Sequence, residues 1–277
     1  MTQHSHATLS SLLQARYGNN PSVLDALNPT LETLMQHKSV RAYTNEPLAP
    51  NTAELLVAAA QSASTSSNLQ TWSVVAVQDQ ERKDRLSQLA ANQAFIRSCP
   101  LFLVWVADLA RLHELGKDRQ KPAESLNYME MLLMGVIDSA LASQNAAVAA
   151  ESLGLGVVYI GAIRNKPLEV AKELGLPPMS FATFGMCIGH VDPAVNNSVK
   201  PRLPQEAVLH KETYQPQAYK KAVDSYNATM EKCYAEQNMK PVGEWDLHSL
   251  NRVRGPEAMG GRDVLVDALR TLGFQMK

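Results

Sequence analysis
Apolar residues fall at helical spacing from Thr30 onward, where Leu31, Leu34 and Met35 share one side, so a helix is predicted there with Thr30 as its cap. That helix delivers His37 to Arg41 at its C-terminal end, and Asn45-Glu46-Pro47 then breaks the chain. A second helix is predicted over about 51–63, with Leu55, Leu56 and Ala59 on one face, running into the polar stretch Ser64-Thr65-Ser66-Ser67-Asn68. Four segments rich in apolar and β-branched residues follow and read as strands: Trp72 to Val77, Leu101 to Ala107, Gly156 to Ile160 and Ala182 to Gly189.

Between the second and third strands lies a long helical stretch, about 123–153. Leu126, Met129, Leu133, Ile137, Leu141 and Val148 mix there with many alanines on nearly every side. A helix apolar all round must be buried, in a core or against a second subunit, and for a chain of this size a symmetric dimer interface is the favoured reading. The pattern weakens at both ends. Residues before about Asn28 hold a short helix near Leu12 to Tyr17 and the turn-forming Gly18-Asn19-Asn20-Pro21, and read as an appendage. After Pro204 strands are hard to find, and 214–277 is helix-rich with a break at Lys240-Pro241-Val242-Gly243.

Composition narrows the partners. The 277 residues carry a formal net charge of -1, with 45% apolar and 19% charged residues, which argues against a disordered chain or a nucleic-acid binder dominated by basic charge. Cys99, Cys187 and Cys233 are odd in number, widely spaced and without a C-x-x-C pair, so neither a disulfide framework nor a metal site is expected and a reducing cytoplasm is the simplest home. The first residues, His4 and His6 among them, lack a basic segment followed by an apolar one. The most apolar stretch, Leu101 to Ala107, is far shorter than the ~20 residues a spanning helix needs, so no membrane partner is expected.

Charge is concentrated in two short clusters, His37-Lys38-Ser39-Val40-Arg41 and Lys200-Pro201-Arg202. Guanidinium, hydroxyl and imidazole groups aimed together suit a phosphate, because charge-assisted bonds to phosphate are strong and directional. On spacing alone the first cluster reads more readily as a solvated helix C-terminus that complements the dipole. Taken singly, Ser64 to Asn68 is an ordinary loop and Gln93 a surface glutamine. Gly154-Leu155-Gly156 lacks the third glycine of a dinucleotide fingerprint and enters a strand instead of leaving one. No G-x-S-x-G, H-E-x-x-H or P-loop is present.

Five ordered motifs resemble the nitroreductase family, in its NADPH-dependent major nitroreductase and flavin reductase branch: His37 to Thr44, Ala63 to Gln70, Glu151 to Gly156, Tyr159 to Asn165 and Lys200 to Pro204. The resemblance runs from about Thr30 to His210 and more weakly to the end. It implies an α+β fold, with a central, mainly antiparallel sheet flanked by helices and an extended C-terminal arm, in an intertwined homodimer that binds FMN between subunits. The segments would then be 1–29 as an N-terminal appendage, 30–210 as the FMN-binding core, and 211–277 as a helical arm on the partner. By match, His37, Lys38, Ser39, Arg41, Lys200 and Arg202 would hold the FMN phosphate and ribityl chain. Ser66, Ser67 and Asn68 would line the ring, and Gln93 would bond its polar edge. Tyr159, Ile160, Gly161, Ala162 and Ile163 would present backbone N–H groups near its reactive nitrogen, and Ser67, Asn68 and Arg164 would meet substrate or nicotinamide.

The resemblance also implies an FMN-dependent NAD(P)H oxidoreductase working by a ping-pong cycle on small-molecule acceptors such as nitroaromatics, quinones or flavins. No catalytic side chain is needed, since a flavin carries the hydride chemistry. A flavin-binding sensor or carrier, and a phosphate-binding module without flavin, are the alternatives. The chain departs from the family in two places. Gly161-Ala162 stands where two glycines are common, so that turn must accommodate a methyl. The arginines that would read the NADPH 2′-phosphate are unmatched near Trp245, leaving Arg164, Lys240, Arg252 or Arg254 as substitutes and NADPH or NADH as the donor.

Overall fold
Strands form where the sequence runs through β-branched and aromatic residues. In the computed structural model, which describes residues 7–241 and 243–277, they are β1 (Trp72–Val77), β2 (Leu101–Asp108), β3 (Leu155–Ile160) and β4 (Ser180–His190). His4 and His6 of the N-terminal segment and Val242 of the expected break lie outside the described residues. The sheet order is β1-β2-β4-β3 with every pair antiparallel, as expected. Trp72 sits opposite Ala107, Phe102 opposite Cys187 and Val158 opposite Cys187 from the other side.

Strand periodicity divides the core. Along β2, Phe102 and Val104 enter one apolar cluster with Val158, Ile160 and Cys187, while Leu101, Leu103 and Trp105 enter another with Val157, Met186 and Ile188. β2 is thus buried on both faces, which requires helices on both sides. In chain order these helices and their neighbours are α1 (Leu9–Tyr17), α2 (Pro29–Gln36), α3 (Thr52–Gln61), α4 (Gln80–Leu89), α5 (Ala94–Ser98), α6 (Ala110–Asp118), α7 (Met129–Ser152), α8 (Pro167–Leu174), α9 (Tyr219–Glu236), α10 (Trp245–Arg252) and α11 (Leu265–Thr271). Leu86 of α4, Ile96 of α5 and Val170 of α8 close the first cluster, and Leu56 and Ala60 of α3 with Ala142, Ala146, Ala147 and Ala150 of α7 close the second. Each fully buried large aliphatic side chain contributes roughly 1.5–3 kcal/mol.

Three local expectations are corrected. α2 is capped by Asn28, whose side chain accepts from the Leu31 N–H at 3.0 Å, and not by Thr30, because Pro29 takes the first helical position. Leu55 points outward at 55% exposure, so the buried face of α3 is Leu56 and Ala60 instead. The long helix starts at Met129, after a short 3₁₀ turn at Glu124–Asn127, and within the single chain it is buried along one side. Its small residues face the sheet, whereas Met129, Leu133, Ile137 and Leu141 form a stripe with exposures of 43–56%. By length and composition this helix, and not Leu101 to Ala107, is the one apolar enough to cross a membrane among the described residues; half of its most apolar window is buried in the fold.

The chain forms two compact units that cut it at other points than the sequence segments do: residues up to Lys38 with Ala194–Ala258, and Ser39–Pro193 with Met259–Lys277. In the second unit the end of the chain returns to its own sheet. Leu269 and Phe274 are buried with Leu109, Met131 and Phe181, and Lys277 N–H donates to the Asn127 carbonyl at 3.0 Å. In the first unit α1 is capped by Thr8 and ends at Gly18 in the left-handed region, while Tyr226, Met230, Cys233 and Tyr234 of α9 pack with Leu203 and Trp245.

Candidate functional site
Helix α2 stops at Gln36 because the chain after it turns extended. Ser39 bridges Val157 of β3, and the Val40 N–H donates to the Val157 carbonyl at 2.9 Å. The cluster is therefore not a helix C-terminus beyond His37, and the dipole reading does not account for Ser39 or Arg41. Extended backbone alternates its side chains, so burial of Val40 at 1% exposure leaves Ser39 and Arg41 facing out. Tyr43 anchors the far end. Its hydroxyl donates to the Val40 carbonyl at 2.8 Å and lies 3.3 Å from that of Cys187, and burial pushes its pKa well above the usual tyrosine range.

Gly156 makes this seating possible. A Cβ there would stand 2.8 Å from side-chain carbons of both Val40 and Val191. Its role is close approach of segment 39–41 to β3, which explains a glycine that fits no dinucleotide fingerprint.

His37 and Lys38 belong to the other unit, with Lys200 and Arg202. There the buried Arg16 ties the two segments: its guanidinium donates to the carbonyls of Met35 at 2.8 Å, His37 at 3.3 Å and Lys200 at 2.9 Å. The Lys200 and Arg202 segment is held again by the Tyr226 hydroxyl, which donates to the Pro201 carbonyl at 2.9 Å.

The hydroxyl loop hangs on one carboxylate. Asp138 of α7 is 2% exposed and accepts from the Thr65 hydroxyl at 2.6 Å, the Ser66 N–H at 3.3 Å, and the Thr71 N–H and hydroxyl at 3.1 and 2.9 Å. Held at both ends, the loop carries Ser67, Asn68 and Gln70 at positive φ and leaves Ser66, Ser67 and Asn68 exposed. Such backbone is costly for residues with a Cβ and persists where the surroundings over-determine it.

Gln93 follows a second left-handed pair, Ala91 and Asn92, and its carbonyl accepts from the Ser87 hydroxyl at 2.9 Å. Val40, Ile96, Ile160 and Ile163 share one apolar cluster, so Arg41, Gln93 and the Tyr159 to Ile163 turn are borne on a common core. Tyr159 donates to Ser143 Oγ at 3.1 Å, and burial raises its pKa to about 12. The turn is a 3₁₀ helix, Gly161–Asn165, in which neither Gly161 nor Ala162 has positive φ; the Ala162 methyl packs against the cluster. The substitution for glycine is thereby accommodated.

Arg164 donates to the Thr183 carbonyl, and its pKa is lowered by burial first and by Arg262 second. Both guanidiniums face Gly161, 3.4 Å and 3.9 Å from where a Cβ would lie, and Arg262 Nε donates to the Met259 carbonyl at 2.6 Å. Two like charges bonded to carbonyls beside an open glycine suit an anionic ligand. Exposed hydroxyls, an amide and guanidiniums are donor types that suit a phosphate-bearing flavin. Arg262, Asp138 and Arg16 were not identifiable from the sequence as site residues. An acid in the middle of an apolar helix, away from its ends, was the visible sign for Asp138; the two arginines bond backbone carbonyls and leave no pattern.

Residues 34–190 match the model of the nitroreductase family and residues 200–277 that of the nitroreductase family C-terminal domain. The chain is similar to FMN reductase (NADPH) of Bacillus subtilis, 37% identical over 90% of this chain and 99% of that protein. Among solved structures it resembles NfrA2 of B. megaterium, with a TM-score of 0.84, 35% identity and coverage of 91% of this chain and 100% of that one. It also resembles the NADPH:FMN oxidoreductase of Vibrio harveyi in complex with NAD+, with a TM-score of 0.79, 35% identity and coverage of 90% and 100%.

Proposed function
The chain belongs to the nitroreductase family, and from that premise we propose that it is an FMN-dependent NAD(P)H oxidoreductase acting on electron-poor small molecules such as nitroaromatics, quinones or free flavins. The observation that carries this reading is the similarity along nearly the whole length of an NADPH-dependent FMN reductase. A sensor or carrier without turnover is not favoured, since the relatives are reductases by name.

FMN, once bound, supplies the hydride and electron transfer itself. The work of the chain is binding, orientation and electrostatics. In this reading His37, Lys38, Ser39, Arg41, Lys200 and Arg202 hold the phosphate and ribityl chain, the strongest contacts being the charge-assisted ones. Ser66, Ser67 and Asn68 line the ring on the loop that Asp138 fixes, and Gln93 bonds the polar edge. Tyr159, Ile160, Gly161, Ala162 and Ile163 form the turn against the ring. Ser67, Asn68, Arg164 and, added by the geometry, Arg262 meet the nicotinamide donor or the acceptor. The Arg164 and Arg262 pair takes the place of the unmatched tail arginines as the phosphate-reading group of the donor.

A homodimer is part of the reading. The stripe Met129, Leu133, Ile137 and Leu141, with Leu55, is an apolar surface of the kind that marks a protein interface. The 211–277 segment would contribute an arm to the partner through α9 and α10. Three free, buried cysteines support a cytoplasmic site, and a net charge near zero supports neither nucleic acid nor an anionic membrane as partner.

The test is direct. Purified protein is expected to be yellow or to take up FMN, to oxidise NADPH or NADH only when an acceptor is present, and to give the parallel double-reciprocal plots of a ping-pong cycle. Colourless protein that takes up no FMN overturns the reading.

A further inference from the structure
We propose that Arg16, in the segment ahead of the family core, is a positioning residue for the flavin phosphate: it fixes the spacing between the His37-Lys38 and Lys200-Pro201-Arg202 backbones. This rests on the FMN reading above and names a residue that lies outside both family-matched regions, which begin at residue 34.

The geometry is specific to a guanidinium. Nη1 donates to the Lys200 carbonyl at 2.9 Å, and Nη2 donates to the carbonyls of Met35 at 2.8 Å and His37 at 3.3 Å. The Arg202 N–H completes the link by donating to the Arg16 carbonyl at 2.8 Å. One buried side chain thus spans two segments far apart in sequence, and both carry the cations assigned to the phosphate. A planar fork with five N–H donors can address carbonyls in different directions at once, whereas an ammonium is a single point charge on a flexible stem.

The backbone on the second segment is correspondingly occupied. The Lys200 carbonyl accepts from Arg16 and from Arg202 Nη1 at 3.1 Å, and the Pro201 carbonyl accepts from Tyr226 and from Arg202 Nη1 at 3.2 Å. A loop fixed before the ligand arrives loses less freedom on binding, so the gain appears as affinity. Arg16 itself reaches backbone atoms of this unit, and its influence therefore runs through the phosphate-binding segments and not through the ring.

That distinction supplies the test. Dissociation constants of FMN and of riboflavin, which lacks the phosphate, are measured by flavin fluorescence on flavin-stripped full-length protein, for the wild type, Arg16→Lys and Arg16→Ala, with thermal melts alongside. The wild type is expected to prefer FMN. Arg16→Ala should weaken FMN roughly tenfold, as for a lost hydrogen bond to a charged group, and leave riboflavin within about twofold. Arg16→Lys should lose most of the same preference, because its charge is kept but its fork is not.

FMN affinity unchanged within about twofold in a folded variant, or an equal loss for both flavins, overturns the proposal. Should Arg16→Ala fail to fold, Arg16→Lys decides by the same two criteria. A wild type that binds neither flavin, or binds FMN no tighter than riboflavin, overturns the FMN-phosphate reading itself, an outcome distinct from an indifferent Arg16.

Discussion

The Thr65 hydroxyl donates to the Asp138 carboxylate at 2.6 Å, and through that bond a helix buried against the sheet controls the shape of an exposed loop. The same carboxylate takes the Thr71 N–H and hydroxyl beyond the loop, so a single side chain clamps both of its ends. Removing it leaves several buried donors unsatisfied. Asp138→Ala should cost about 1.5–3 kcal/mol in unfolding free energy and reduce FMN retention as Ser67 and Asn68 leave their left-handed backbone. Denaturant titration together with FMN affinity checks this. Asp138→Asn, which retains an acceptor oxygen, should lose less on both measures.

Gly156 yields a steric prediction. Gly156→Ala places a Cβ 2.8 Å from Val40 and Val191 side-chain carbons; Val40 is buried in the core and Val191 is half-buried against it. Overpacking of this kind costs about 1–3 kcal/mol. Because Val40 lies between Ser39 and Arg41, the displacement should also weaken FMN binding; Gly154→Ala, with nothing within 4 Å of its would-be Cβ, serves as the control for space, though its φ of +78° carries its own backbone cost. Melting temperature and FMN affinity of the two variants make the comparison.

The sheet was legible because its strands are continuous β-branched and aromatic runs, and β1 matched from Trp72 to Val77 while the other strands gained a residue or two at their ends. Helix ends were less so. Asn28 and Thr30 can both cap, and only the proline between them selects Asn28. Apolar content all round does not say which face of the long helix the sheet takes; alanines and glycine pack closely there, leaving the larger side chains on the far side. In the site, motifs located the loops, but Arg16, Asp138 and Arg262 act on groups far away in sequence. Bonds to backbone carbonyls have no residue-type signature, so those links needed the fold.

A buried tyrosine, Tyr43, and a half-buried one, Tyr159, set an alkaline limit. Burial raises the pKa of Tyr43 well above the ordinary value and that of Tyr159 to about 12, against a reference of 10.0. A raised folded-state pKa means that stability is fully present below about pH 10 and is lost as pH rises through the folded value, because only the unfolded chain releases the proton early. Each group adds a slope of up to about 1.4 kcal/mol per pH unit in that window. Tyr159→Phe should flatten the decline between pH 10 and about 12, at the expense of about 1 kcal/mol at neutral pH from the lost bond to Ser143. Denaturant midpoints across the range, with tyrosinate absorbance, follow both.

The exposed stripe on α7 gives the last prediction. Met129, Leu133, Ile137 and Leu141 recur every fourth residue, so their side chains line one side of the helix, opposite the alanines on the sheet. Water contact along such a stripe is unfavourable by roughly 25 cal/mol per Å2 of apolar surface, and a second copy presenting the same stripe removes it on both chains at once. A charge at Ile137, 56% exposed in the single chain, would be desolvated in that contact and tolerated outside it. Ile137→Glu should therefore leave the sheet core and melting cooperativity intact while converting a dimer to a monomer in sedimentation velocity. FMN occupancy should fall with it if the flavin site draws on the partner. An unmodified protein that sediments as a stable monomer with full flavin occupancy would remove the shared-site reading, and the stripe would then need another cover.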